Sequence, residues 1–296
     1  MCYTVKKVGE TMYQFLGNTG IRMYDILSFL SFVPVLIFNF SQFKKKKNLL
    51  SRKAQAYIEK KKTPDRRRLE KSTVLWEILL ISAVQYFFAF IINTAFGEIV
   101  NTGPNYYGLL FITPVILAVA FILSGIDVLK QMDLITPAFP LALIPIKFAC
   151  FCHGCCSGIE CSFGFYNHFR GVVDFPVQLV EVGEAILIFV ILMMLRNKAK
   201  EGTLFPLYLI LYSSMRFFSE FLRYEENVIW ILKKYHLLCL AGIVVGTIEL
   251  LLVTKYKDKL ILNMDTLKKR LNEYAVKNGI VKDKNIVHHK KRKKKR

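Results

Sequence analysis

Seven long apolar stretches constrain this chain more than any other feature of its sequence. Each is close to the ~20 residues that an α-helix needs to cross a bilayer. They lie at 25–41, 73–95, 107–125, 135–152, 177–195, 203–221 and 236–254. One soluble core does not account for that pattern in a chain that is 53% hydrophobic and still carries a net charge of +20. We therefore predict an all-α, polytopic membrane protein with about seven transmembrane helices.

The positive charges predict the orientation of these helices. With seven crossings, 33 Lys and Arg residues lie on one side of the membrane and 7 on the other. Cytoplasmic loops carry the excess of Lys and Arg, so we place the N-terminus outside and the C-terminus in the cytoplasm. This divides the chain into an outer segment, 1–24, a membrane domain, 25–254, which includes the basic cytoplasmic loop 42–72, and a basic cytoplasmic tail, 255–296. Because the charges collect between apolar stretches rather than on one soluble face, we expect no nucleic-acid partner.

Two cations, Lys147 and Arg216, fall inside predicted helices. A cation within a membrane helix costs about 2.5–3.5 kcal/mol, and it usually faces the interior of the bundle and marks a site. The alternative is that both side chains snorkel to the interface, since both lie near the predicted outer ends of their helices.

Further polar residues lie at the same depth. Arg216, Glu220 and Arg223 share a helix face. On the preceding helix, Gln178, Glu181 and Glu184 or Ala185 do the same. Cations, carboxylates and an amide at one level suit the binding of an anionic headgroup, because an arginine presents a planar fork of donors to phosphate. Ion pairs that only hold the helices together are the structural alternative.

The segment CFCHGCC, residues 150–156, collects four cysteines and a histidine. Enough ligands for tetrahedral zinc are offered by Cys152, His153, Cys155, Cys156 and Cys161, but the adjacent cysteines lack the usual C-x2-C spacing. A disulfide within the cluster and reduced, packed thiols are the other two interpretations. We predict no metal site and leave a redox role open.

Several stretches together resemble the prolipoprotein diacylglyceryl transferase family. IRMYDILSF (21–29) is similar to its opening IRWYGL-type segment, and NYYGLLF (105–111) to its HGG segment. DLITPAFPLALIPIKFACFCHGCCSG (133–158) is similar to its long D-L-I-A-P signature. FPVQLVE (175–181) is similar to HPSQLYE, and LYSSMRFFSEFLR (211–223) to GLFRFFVEFFR. The order and spacing agree along most of the chain, so the combination is specific although each piece alone is weak.

The resemblance implies a reaction. The family's enzymes move the diacylglyceryl group of phosphatidylglycerol to the thiol of a lipobox cysteine in a prolipoprotein, and glycerol phosphate leaves. It implies no cofactor, a bilayer environment, and multi-pass placement in the bacterial cytoplasmic (inner) membrane.

The resemblance also implies site residues, some identical to the family pattern and some replaced. The identical ones are Tyr24, Gly154, Gly158, Gln178, Glu181, Arg216 and Glu220. The replaced ones are Lys147 for an arginine, Cys150 for an asparagine, His153 for a second asparagine, Cys155 for a glutamate and Tyr107 for a histidine.

Roles follow from these positions. We expect Arg216 and Lys147 to bind the phosphate and Glu181 and Glu220 to position them. Further headgroup contacts are assigned to Tyr24, Gln178, Cys150 and the close backbone at Gly154 and Gly158. Tyr107 or His153 would assist the acceptor thiol.

Two rival functions stay open. One is a family relative that only binds lipid or transfers it to a different acceptor. The other is a membrane protein whose cysteine cluster senses metal or redox state.

Overall fold

The computed structural model describes residues 30–45, 79, 106–124, 128–167, 170–224 and 232–277. In this part of the chain the predicted helical architecture is confirmed. The helices are α1 Phe32–Lys45, α2 Tyr106–Ser124, α3 Val128–Ile135, α4 Ala138–His153, α5 Val177–Leu195, α6 Leu204–Ser219 and α7 Lys234–Lys277. Except for Leu79, the predicted helix at 73–95 lies outside the described residues.

Three described helices are long and apolar enough to cross a membrane. They are Val128–His153, Val177–Leu195 and Lys234–Tyr256, with 26, 19 and 23 residues. Two shorter apolar helices, Phe32–Gln42 and Leu110–Val119, accompany them. Large apolar side chains such as Ile248 and Leu251 point outward, as expected for helices that face lipid rather than water.

The first of these spans combines α3 and α4. The junction is at Thr136 and Pro137, where the Thr136 hydroxyl donates to the carbonyl oxygen of Met132 at 2.7 Å. Proline is tolerated in the first turn of a helix, where its missing N–H has no partner to lose. The apolar run therefore continues through the junction as one span.

Successive helices pack side by side: α4 against α5, α5 against α6, and α6 against α7. As a result, the C-terminal ends of α4 and α6 and the N-terminal ends of α5 and α7 meet at one end of the bundle. A core of apolar and aromatic side chains lies below that end, among them Phe139, Leu192, Tyr208 and Leu209.

A small antiparallel hairpin lies at the same end and was not predicted. It pairs β1 Glu160–Asn167 with β2 Val172–Asp174, and Tyr166 lies opposite Val173. The register shifts between Glu160 and Phe165, so the strands lack the regular alternation that identifies a hairpin from sequence. The fold is therefore mainly helical rather than all-α.

The longest helix, α7, runs through the predicted boundary between membrane domain and tail. Its backbone leaves helical geometry at Tyr256, where φ is −121° and ψ is 23°. This kink is two residues beyond the predicted end of the membrane domain at Thr254.

Two glycines, Gly242 and Gly246, form a GxxxG pair on the face of α7 that meets α6. A Cβ at Gly242 would overlap the Ser213 hydroxyl, and one at Gly246 would approach the Pro206 carbonyl oxygen at 3.0 Å. Small residues at this spacing allow membrane helices to approach closely.

We expect Gly242→Val to destabilise the protein by about 1–3 kcal/mol, because the added methyl groups overpack the α6–α7 contact. Gly183→Val is the matched control, since a Cβ at Gly183 on α5 meets nothing within 4 Å. Thermal unfolding in one detergent measures both variants. Equal midpoints for the two would show that the close approach of α6 and α7 does not limit stability.

Candidate active site

Buried charges converge at the end of the bundle where α4 and α6 end and α5 begins. Lys147 lies near the end of α4, Glu181 in the second turn of α5, and Arg216 in the last turn of α6. Glu220 and Arg223 follow in a 3-10 turn, Glu220–Leu222, and just after it. The structure thus brings together Lys147 and Arg216, the two cations that the sequence places inside apolar stretches.

Glu181 is the centre of this cluster. Its Oε2 lies 2.9 Å from the Lys147 ammonium group, and its Oε1 forms ion pairs with Arg216 Nη1 and, at 2.7 Å, with Arg223 Nη2. The Glu181 side chain is only 4% exposed. Burying a carboxylate in this way is costly unless its charge and lone pairs are matched, and here three cations match them.

Glu220 holds the two arginines from the other side. Its Oε2 lies 2.7 Å from Arg216 Nη2 and 3.7 Å from Arg223 Nε. The Lys233 ammonium group adds a fourth buried cation, because it donates to the carbonyl oxygens of Glu220 at 2.7 Å and Arg223 at 2.6 Å. Lys233 therefore closes the end of the 3-10 turn.

A small recess opens beside these charges; its empty space, including the open mouth, is about 260 Å³. Its lining comes from α4, α5 and α6: Leu143, Lys147, Glu181, Glu184, Ala185, Ile188, Tyr212 and Arg216. The Glu184 carboxylate is a third acid here, and it accepts from the Ser219 hydroxyl at 3.4 Å.

Four cations and three carboxylates thus meet within the described ranges, which leaves a positive excess around the pocket. A guanidinium fork and an ammonium group at such a pocket can bind a phosphate oxygen.

The loop after α4 carries both predicted glycines. Gly154 ends the helix with φ at 79°, a left-handed conformation that glycine adopts without strain. A Cβ at Gly158 would overlap the Phe175 carbonyl oxygen, so only glycine fits there. Gly158 also pairs with Arg223 in an isolated bridge, which ties this loop to the charge cluster.

Hydrogen bonds from polar side chains outside the loop hold it in place. Gln178 Nε2 donates to the Cys155 carbonyl oxygen at 2.7 Å. Asn167 Nδ2 donates to the Gly154 carbonyl oxygen at 3.0 Å and the Ser157 hydroxyl at 2.6 Å. Gln178, which we predicted to bind a headgroup, therefore positions the loop in this structure.

The cysteines of this segment are reduced and close together. The sulfur atoms of Cys150, Cys155 and Cys156 all lie within 4.8 Å of one another, and all six described cysteines are free thiols. Hydrogen bonds from Cys150 and Cys155, with the charges of Arg223 and Lys147, hold the pKa of the Cys156 thiol well below its ordinary value.

Tyr107, His153 and Tyr24, which we expected to act on the headgroup or the acceptor thiol, do not lie together in the described part of the chain. The Tyr107 hydroxyl donates to Cys239 Sγ at 2.9 Å within the core, and its ring packs against Tyr212 of the pocket. His153, the last residue of α4, lies six positions after Lys147 and so on a different face of that helix. Tyr24 lies outside the described residues.

Three charged residues of the cluster were not among the predicted site residues. The spacing placed Arg223 on the helix face of Arg216, but no site role was assigned to it. Glu184, one turn after Glu181, was placed in the same way and was also given no site role. Lys233 lies just before α7, and no helical spacing in the sequence connects it to Arg216, Glu220 or Glu181.

A comparison with protein families decides the identity of the chain. Residues 11–252 match the family model described as prolipoprotein diacylglyceryl transferase, and this range contains every predicted site residue. The chain belongs to that family. A comparison with curated proteins found no significant match.

Membership confirms the resemblance drawn from the sequence motifs. Prolipoprotein diacylglyceryl transferases are membrane enzymes that transfer a diacylglyceryl group to prolipoproteins. The charge cluster and its pocket lie within the matched range.

The central carboxylate generates a prediction. We expect Glu181→Ala to destabilise the protein by about 3–5 kcal/mol, because it leaves three buried cations facing one another. Adding Lys147→Met should recover part of this loss, since it removes one of the repelling charges. Thermal unfolding of the single and double variants measures the coupling.

Glu201→Ala is the control for that experiment, because Glu201 pairs at 3.8 Å with Lys130 on the surface, where both side chains are about half exposed. An exposed pair contributes about 0–1 kcal/mol. A loss at Glu181 no larger than the loss at Glu201 would contradict the central role of this carboxylate.

Proposed function

We propose that the protein transfers the diacylglyceryl group of phosphatidylglycerol to the lipobox cysteine thiol of prolipoproteins. The observation that carries this proposal is the meeting of Lys147 and Arg216 at one carboxylate on the wall of a pocket between α4, α5 and α6. Family membership supplies the class of reaction. The donor and the acceptor are the parts that we propose.

In the proposed step, the acceptor thiolate attacks the glyceryl carbon that is bonded to the phosphate oxygen. A carbon–sulfur bond forms, the carbon–oxygen bond breaks, and glycerol phosphate leaves with the electron pair. Negative charge grows on the leaving oxygen, so cations fixed beside it stabilise the transition state more than the ground state. Arg216 and Lys147 line the pocket and would fill this role.

Glu181 and Glu220 would hold these cations in place before the lipid binds. Because Glu181 occupies the donors of three cations, an incoming phosphate would take over some of them. Gly154 and Gly158 would let the loop backbone approach the headgroup, with Gln178 and the Cys150 end of α4 beside it. Tyr24 would complete the headgroup contacts.

We place this end of the bundle at the outer face of the bacterial cytoplasmic membrane. The basic residues Arg196, Lys198 and Lys200 follow α5 at the opposite end, which supports a cytoplasmic position for that end. Residues 25–254 would form the membrane domain between the outer segment and the basic tail.

The acceptor thiol needs a proton acceptor, because the pKa of a free thiol is about 8.5. Tyr107 and His153 are the candidates from the sequence. The structure adds Glu184, whose carboxylate lines the pocket beside Arg216 and Lys147, whereas the Tyr107 hydroxyl donates to Cys239. We therefore favour Glu184.

The two arginines on Glu181 provide the first test of the proposal. We expect Arg216→Ala to lower kcat by about 10²–10³-fold, the usual cost of losing one fixed donor to a developing oxyanion. Arg223→Ala should cost about tenfold or less, because Arg223 contacts Glu181 but does not line the pocket.

The assay incubates the purified protein with phosphatidylglycerol and a lipobox peptide and detects the thioether product by mass spectrometry. Activities are normalised to folded protein, and a competent family enzyme is the positive control. No lipid on the peptide thiol would remove the proposed function. Equal losses in the two variants would place the phosphate elsewhere.

The second test compares proton acceptors. We expect Glu184→Gln to lower kcat by about 10²-fold, as is usual when a general base is removed. Tyr107→Phe should retain most of the activity, because the Tyr107 hydroxyl donates its hydrogen bond to Cys239 and not to a group in the pocket. His153→Gln completes the series. If Tyr107→Phe or His153→Gln loses more activity than Glu184→Gln, the role of Glu184 is wrong.

A further inference from the structure

Three thiols from two parts of the chain converge at the end of α4. Cys150 belongs to the helix, while Cys155 and Cys156 follow the left-handed turn at Gly154. Their three sulfur atoms lie within 4.8 Å of one another. The linear spacing of these cysteines argues against a metal site, but the turn brings the sulfurs together in a way that the spacing does not reveal.

The backbone around the three thiols is held in this arrangement. Hydrogen bonds from Gln178 and Asn167 pin the carbonyl groups of Cys155 and Gly154 at 2.7 Å and 3.0 Å. Cys156 itself has φ at 61°, a conformation that is unfavourable for a residue with a side chain. Such a conformation persists only where the surroundings impose it, and it is common at ligand sites.

The neighbouring cations match the net charge of a completed metal–thiolate complex. Three thiolates around a divalent ion carry one net negative charge, and the charges of Arg223 and Lys147 act on this group. The cluster is accessible to an ion, because Cys156 is exposed although Cys150 is buried. A tetrahedral ion about 2.3 Å from each sulfur places the sulfurs about 3.8 Å apart, so only a small adjustment of side chains is required.

We propose that Cys150, Cys155 and Cys156 bind one thiophilic divalent cation of the zinc type. Three sulfur ligands select soft and borderline ions over magnesium or calcium. The fourth position, on the side of the exposed Cys156, is left to a water molecule or another small ligand, as in zinc sites that are not closed by four protein ligands. This site adjoins the proposed phosphate cations and includes Cys150, which the sequence assigns to headgroup contacts, but metal binding can be measured without the transfer reaction.

The test uses the full chain, purified in detergent with a phosphine reductant and stripped with a chelator. Zinc is titrated in competition with a chromophoric chelator, and cobalt is added in parallel as an optical probe. We expect one equivalent of zinc per chain and a thiolate-to-cobalt charge-transfer band. Cys156→Ser and Cys155→Ser should each weaken zinc binding by at least about tenfold.

Cys161→Ser and Cys152→Ser are matched controls, since neither sulfur belongs to the group of three. Both should bind zinc as tightly as the unaltered protein does. Because Cys156 is exposed, Cys156→Ser should leave the unfolding midpoint of the metal-free protein unchanged, which separates loss of binding from loss of fold.

Three outcomes would overturn the proposal. They are the absence of zinc binding in the reduced protein, full binding by the Cys155→Ser/Cys156→Ser double variant, and equal weakening in the Cys161→Ser control. A disulfide in protein prepared without reductant, with no zinc bound after reduction, would identify a redox pair instead. None of these results depends on the transfer assay, so the metal site and the proposed function can fail separately.

Discussion

The Glu181 carboxylate is the interaction on which this end of the molecule depends. Lys147 on α4, Arg216 on α6 and Arg223 beyond the 3-10 turn all contact it, so one side chain on α5 connects three neighbouring segments. Away from water, the attraction between opposite charges strengthens, and so does the repulsion among the cations. The arrangement is therefore stable only with the acid present. Its positive excess remains available to an anion that can replace part of the carboxylate's contacts.

A second group of polar contacts supports the loop that faces these charges. Asp174 on β2 accepts from Asn167 at 2.8 Å and pairs with Arg170, which also donates to the Gly158 carbonyl oxygen at 3.1 Å. The Arg170 guanidinium in turn lies 3.6 Å from the centre of the Tyr224 ring. The small hairpin thus fixes the loop between Gly154 and Gly158 against the segment that carries Arg223. Sites of this kind need such support, because donors must be held in place before charge develops.

Helical periodicity explains what could be predicted and what could not. Lys147 and Arg216 stood out because a charge inside an apolar stretch is rare, and Glu220 followed from Arg216 at four residues' spacing. Lys233 reaches the cluster through backbone carbonyl groups, a contact without a sequence pattern. The proximity of Cys150 to Cys156 depends on the left-handed turn at Gly154, and local spacing does not report where such a turn directs the next side chains. The hairpin could not be predicted from the sequence because its register is irregular.

The replaced positions of the family signature then acquire a physical meaning. The motif resemblance in the sequence predicts an amide and a carboxylate where Cys150 and Cys155 stand, and both groups are good hydrogen-bonding partners for a polar headgroup. Thiols are weak donors and weak acceptors, so this chain has fewer strong neutral contacts to offer there. Binding of an anionic headgroup must then rely more on charge, which Arg216, Arg223, Lys147 and Lys233 supply in excess of the nearby acids. Three sulfur atoms within 4.8 Å of one another instead supply the kind of ligand that soft and borderline metals prefer. The same substitutions that weaken hydrogen bonding to a headgroup therefore create the conditions for a sulfur-ligated ion next to it.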